Sequence, residues 1–217
     1  MVEVINAEVF GLDRSQRAIG NSFNAGEINT TTGDVNNKLA SNLGSNMAPH
    51  QSHDAYLKGI QVMFDIRGNG VFMPEFQRYH HMEIIMSQST MHSLDKLING
   101  DFNPFTKYVS EETKAQIKRL YNEWIAARED RKSKKEIYEA FERLVHNIPR
   151  GLELWATVTT NYLQLKTIVI QRAHHKNVED WGGFVKFCYE LPQFRELCGF
   201  NTPEWELDKI FPLLKEL

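Results

Sequence analysis

Residues 60–67, Ile-Gln-Val-Met-Phe-Asp-Ile-Arg, constrain the fold more than any other stretch. Ile60, Val62, Phe64 and Ile66 alternate with Gln61, Met63, Asp65 and Arg67. A period of two sends one set of side chains into a core and leaves the other on a more polar face, which is the pattern of a β-strand. Gly68-Asn69-Gly70 then supplies a turn, and residues 71–73 (Val-Phe-Met) are expected to return as a partner strand. Residues 2–10 mix β-branched and aromatic side chains and are expected to add another strand.

Helical signals dominate the rest. Residues 20–46 are rich in Asn, Gly, Ser and Thr and enclose one weak helix, Asp34 to Leu43. Gln77 to Leu97 has few turn formers and is expected to contain a helix. Ser110 begins another, with Glu111 and Glu112 where the macrodipole favours acids and with Leu120, Tyr121, Trp124 and Ile125 on its inner face. Ser133 and Glu136 have capping-box spacing before an inner stripe of Ile137, Phe141, Leu144 and Val145. Between these two helices, Arg128 to Lys135 reads as a solvated corner.

The stretch after Pro149 is ambiguous. Thr157 to Thr160 favour strand, but more than 20 residues pass without Gly or Pro, and length predicts one long, nearly buried helix to Arg172. Thr159, Asn161, Gln164 and Lys166 would then need partners or a ligand. Trp181 to Tyr189 is expected to form a further helix. The expectation is a single α+β domain over residues 1–217, with helices in the majority.

Composition removes several function classes. Twenty-five basic against 28 acidic residues leave a formal charge of −3, which argues against sequence-independent nucleic-acid binding. Cys188 and Cys198 cannot build a disulfide framework or a zinc quartet. No basic, apolar leader and no run of about 18 apolar residues occurs, so a cytoplasmic protein without a membrane span is expected. Asn29-Thr30-Thr31 matches a glycosylation sequon by accident on this reading. Phosphate-loop, dinucleotide-glycine, nucleophile-elbow and zinc-protease motifs are absent. Six of the eight histidines fall in short pairs, His50 and His53, His80 and His81, His174 and His175, but without i, i+4 spacing, so no metal site is expected. Cys188 lies among apolar residues, where a neutral buried thiol is expected, and Ser89 has no base–acid series around it.

Two polar elements remain, residues 77–92 and 155–176, and these resemble the flavin-dependent thymidylate synthases. The family signature is Arg-His-Arg, seven residues, then Ser. Here Phe-Gln-Arg-Tyr-His-His-Met-Glu-Ile-Ile-Met-Ser-Gln-Ser-Thr-Met-His (76–92) stands in its place. Ser89 aligns Tyr79-His80-His81 with the triplet, or Arg78-Tyr79-His80 if the gap grows by one. The stretch from Pro149 to Arg172 resembles the segment that carries a flavin-contacting Asn and a pyrimidine-binding Arg, with Pro149, Leu152, Thr159, Asn161, Leu165 and Arg172 in register. Downstream, His174, His175 and Trp181 resemble a His-to-Trp stretch with about two extra residues. Upstream, Arg17 to Phe23 and Gly44 to His53 resemble two further family elements, and the order of all the blocks matches.

The resemblance implies a central twisted, mostly antiparallel sheet flanked by helices, assembled as a homotetramer. It implies reductive methylation of dUMP at C5 with FAD, NADPH as reductant and methylenetetrahydrofolate as carbon donor. Arg172 would bind the pyrimidine and stabilise charge on its ring carbonyl; a surface arginine at a helix end is the plainer alternative. Gln88, Ser89, Arg150 and Lys166 would complete the substrate site, and Arg78, Tyr79, His80, His81, Asn161 and His175 the flavin or folate pocket. Asn161 as a satisfied helix contact and Ser89 as a helix cap remain open. The chain departs from the family where Met91, His92 and Trp155 replace expected Arg, aromatic and phosphate-binding Arg residues. Another pyrimidine nucleotide as substrate, or a non-catalytic nucleotide- or flavin-binding member, therefore stands as the alternative.

Overall fold

The computed structural model describes residues 1–22, 34–45 and 52–216. In chain order its elements are β1 (Glu3–Phe10), α1 (Leu12–Ala18), α2 (Asn37–Gly44), β2 (Gln61–Asn69), α3 (Met73–Phe76), β3 (Glu83–Ser87), α4 (Thr90–Asn99), α5 (Glu111–Glu129), α6 (Lys134–His146), β4 (Glu153–Asn161), α7 (Tyr162–Arg172), α8 (Val178–Glu190), α9 (Phe194–Cys198) and α10 (Leu207–Ile210). The four strands form one antiparallel sheet in the order β1-β2-β4-β3. The expected helix-rich α+β class is what the chain adopts. Two compact units divide it, the first built from Met1–Ile66, Glu75–Met86 and Ala156–Leu217, the second from Arg67–Pro74 and Ser87–Trp155.

The alternation in β2 works as its sequence dictates. Ile60, Val62, Phe64 and Ile66 are fully buried, while Met63 on the other face is exposed. In the first unit that buried face joins α7 and α8, whose Leu165, Ile168, Val169, Trp181, Phe184 and Val185 have no exposed surface. Phe184 meets Phe64 and Phe76 with ring centroids 6.1 and 5.3 Å away, tilted and edge-on as aromatic quadrupoles prefer. On the opposite face of the sheet, Asp65 accepts hydrogen bonds from Thr157 Oγ1 at 2.6 Å and Asn6 Nδ2 at 2.8 Å. These two bonds hold its carboxyl below the usual carboxylate range. Asn6 has φ +54° in the middle of β1, a left-handed conformation that Asn tolerates better than most residues. Gly11 enters α1 at φ +75°, where a Cβ would lie 2.6 Å from the Gly59 carbonyl oxygen, so only glycine fits.

In the second unit the sequence is read back closely. Ser110 caps α5 by accepting from Thr113 N–H, and the Ser133–Glu136 capping box opens α6 in both directions. Leu120, Tyr121 and Leu144 are buried with Leu94 and Ile117, and Trp124, Ile125, Phe141 and Val145 pack against them.

Two expectations are corrected. The long helix from Pro149 to Arg172 is instead strand β4 followed without a loop by α7. β-branched Thr157–Thr160 keep the strand, and Asn161 ends it by capping α7, its Oδ1 accepting from Gln164 N–H at 2.9 Å. Residues 71–73 do not return as a strand. Asn69 Oδ1 accepts from the N–H groups of Val71 and Phe72 and turns the chain into α3. Residues 77–97 contain the expected helix as most of α4, after a turn and strand β3. The weak helix expected at 34–43 is α2, shifted to Asn37–Gly44.

Candidate functional site

A polar cluster of the first unit gathers around Glu75. Its Oε2 accepts from Arg172 Nη1 at 2.9 Å and from Trp181 Nε1 at 3.1 Å, and lies 3.5 Å from His175 Nε2. Arg172, in the last turn of α7, also donates through Nε to the Tyr79 hydroxyl at 2.6 Å. Its guanidinium lies 4.2 Å from the centre of the Trp181 ring, within the range of a cation–π contact. A planar cation stacked on one ring and held by two acceptors has little rotamer freedom left.

Titration follows from these contacts. Burial raises the Tyr79 hydroxyl above its ordinary value, against the opposing hydrogen bond and charge of Arg172. Burial lowers His175 from 6.5, opposed by Glu75 and assisted by Arg172. His175 Nδ1 accepts the Asn177 N–H at 3.1 Å, so its neutral form carries the proton on Nε2, toward Glu75. The Cys188 thiol is fully buried and pushed well above its usual range by that burial, which leaves it inert. Among the described residues no group of three or more His, Cys, Asp and Glu side chains is placed to hold a metal ion.

Of the residues picked from sequence, the structure brings Tyr79, Arg172 and His175 together. Arg78, His80 and His81 lie on the same connection as Tyr79 and are exposed. The two imidazoles meet edge-on, 4.8 Å between centroids, and the His81 N–H donates to Gln164 Oε1. Asn161 spends its side-chain oxygen on capping α7. Lys166 is no surface cation: its side chain is 4% exposed, 2.8 Å from Asp54 Oδ2 and 2.7 Å from the Gly44 carbonyl oxygen. Its charge is met by a carboxylate inside the first unit.

Gln88, Ser89 and Arg150 belong to the second unit. Gln88 is bonded twice to the backbone of Trp155, through its own N–H and through Oε1. Ser89 caps α4, and exposed Arg150 donates through Nε to the Gly70 carbonyl at 2.9 Å. Trp155 lies on β4 rather than on a helix. His50 and most of the Gly44 to His53 block lie outside the described residues, as do Phe23 and the Asn29 sequon. Glu75 was not expected from the sequence. An arginine anticipated in a half-buried site needs a counter-charge, and Glu75, just ahead of the signature stretch, was the nearby candidate.

No protein-family model and no curated protein sequence matches the chain. Solved structures do. Thymidylate Synthase X from Helicobacter pylori, crystallised with FAD and dUMP at 2.31 Å resolution, is 15% identical with a TM-score of 0.63, over 91% of this chain and 97% of that one. A second structure of the flavin-dependent enzyme from the same organism, also complexed with FAD and dUMP, is 14% identical with a TM-score of 0.60, over 90% and 97%. The chain has the fold of the flavin-dependent thymidylate synthases. At that identity the likeness extends to the architecture, a helix-rich domain on a four-stranded antiparallel sheet. Among the described residues no helix is long and apolar enough to cross a membrane.

Proposed function

We propose that the chain is a divergent flavin-dependent thymidylate synthase-like enzyme, one functional domain that binds a uracil nucleotide at Arg172 and FAD beside it. The supporting observation is Arg172 itself: a half-buried guanidinium, fixed by Glu75, Tyr79 and Trp181. A fixed cation against a ring carbonyl stabilises negative charge as it develops there, with no reorganisation during the reaction. Arg78, Tyr79, His80, His81 and His175 would line the flavin or folate pocket. When bound, reduced flavin supplies the hydride equivalent that this chain's side chains lack. The reductant is NADPH, the carbon donor methylenetetrahydrofolate, the assembly a homotetramer and the compartment the cytoplasm.

A second reading keeps the site and changes the ligand. Trp155 occupies the place of a phosphate-binding arginine, and Lys166 is committed to Asp54. An apolar indole does not replace a guanidinium fork. Another pyrimidine nucleotide, or binding without turnover, follows from that loss.

The test starts with the visible spectrum of the purified protein with added FAD, followed by dUMP titration of wild type and Arg172→Ala. Flavin uptake is expected. Arg172→Ala should weaken dUMP binding by about a hundredfold, the cost of losing one charged partner, with the oligomer intact. Failure to take up FAD, or an Arg172→Ala protein that binds dUMP unchanged, overturns the proposal.

A further inference from the structure

The Glu75–Arg172 pair leaves one acceptor and one donor group unused. All three donors reach Glu75 at Oε2, and Oε1 makes no hydrogen bond among the described residues. Arg172 donates through Nε and Nη1, and Nη2 makes none among the described residues. The Glu75 side chain is 38% exposed and that of Arg172 17%, so both side chains keep surface open to solvent. Neither group is free to turn away. Trp181 Nε1 and Arg172 hold Oε2, and the Trp181 ring carries one face of the guanidinium.

We propose that Glu75 is a specificity-determining residue, its Oε1 accepting the ring N–H of a pyrimidine imide while Arg172 donates to the adjacent ring carbonyl. This deepens the reading of Arg172 as the pyrimidine-binding group and rests on it. The chemistry selects in two ways. A carboxylate beside the guanidinium offsets its charge, so a phosphate approaching Arg172 also meets like charge, whereas a neutral ring edge does not. An N–H next to a carbonyl satisfies the acceptor and donor together. A ring alkylated at that nitrogen leaves a charged acceptor unpaired, and sites built on such pairing reject the analogue that lacks the hydrogen.

The test compares dUMP with its N3-methyl analogue by calorimetry, on full-length protein saturated with FAD. Wild type is expected to bind dUMP at least about tenfold more tightly than the methylated nucleotide. In Glu75→Ala that ratio should fall to near one, and in Glu75→Gln, which keeps an acceptor oxygen, to an intermediate value. The ratio is insensitive to a general loss of stability, which would weaken both ligands alike. Equal binding of the two nucleotides by wild type, or an undiminished ratio in Glu75→Ala, overturns the assignment. If Glu75→Ala does not fold, Glu75→Gln decides by the same criterion. An Arg172→Ala protein that binds dUMP unchanged removes the underlying site reading. Binding that depends on Arg172 with a ratio indifferent to residue 75 removes only the role given to Glu75.

Discussion

Asp54→Ala is the sharpest test of how the first unit is held together. Lys166 is 3% exposed as a residue and its ammonium lies 2.8 Å from the Asp54 carboxylate. Deleting the carboxylate takes a counter-charge away from a buried ammonium, which costs about 3–5 kcal/mol when the pair is well buried. Asp54 keeps 17% of its side chain exposed, so water can reach the vacated position and the lower end applies, about 3 kcal/mol. For a chain of this size each kcal/mol moves the melting temperature by roughly 2–4 °C, so a drop of about 6–12 °C is expected. Calorimetric melting of wild type, Asp54→Ala, Lys166→Met and the double variant measures it. The double variant should recover most of the loss, since a thioether of similar length fills the site without a charge. A loss under about 1 kcal/mol, or a double variant no better than Asp54→Ala, would refute the reasoning. The same Lys166→Met protein should bind dUMP as wild type does, because its ammonium is engaged inside the unit.

Two smaller perturbations complete the set. The folded-state pKa of His175 lies below 6.5, chiefly through burial, so the unfolded chain takes up a proton at higher pH than the folded one. Its contribution is therefore present above about pH 6.5 and lost as pH falls through the lower folded value. Denaturant midpoints at about pH 7.5 and 5.5 should differ less in His175→Gln than in wild type, and an identical difference would contradict this sign. Ser133→Ala removes the side-chain half of the α6 capping box, the hydroxyl that accepts from Glu136 N–H, and should cost about 1 kcal/mol in urea unfolding; a neutral result would mean that the cap does not hold the helix end.

Where local chemistry decides, the sequence was legible. The β2 alternation and the caps at Ser110 and Ser133 depend on residues a few positions apart, and each stands as read. The stretch from Pro149 to Arg172 failed because its strand meets its helix with no connecting turn. The only local sign of the junction is Asn161, and its capping role becomes evident only when Tyr162 is seen to start a helix. The site shows the same division. Tyr79, His175 and Arg172 were picked singly, from residue type and resemblance. Their convergence on Glu75 needs α3, α7 and the turn before α8 in place, and a sequence does not show which of its 28 acidic residues will meet a given arginine.

The left-handed Asn6 and its link to Asp65 bear on how this protein behaves in company. β1 is an outer strand of the sheet, and outer strands present bare amide groups on which a stray chain can align. A residue at φ +54° breaks the extended path midway along that margin, and the side-chain tie to β2 at 2.8 Å holds the break in place. Foreign strands meet an interrupted template there, and crowding should leave this border of the molecule unextended.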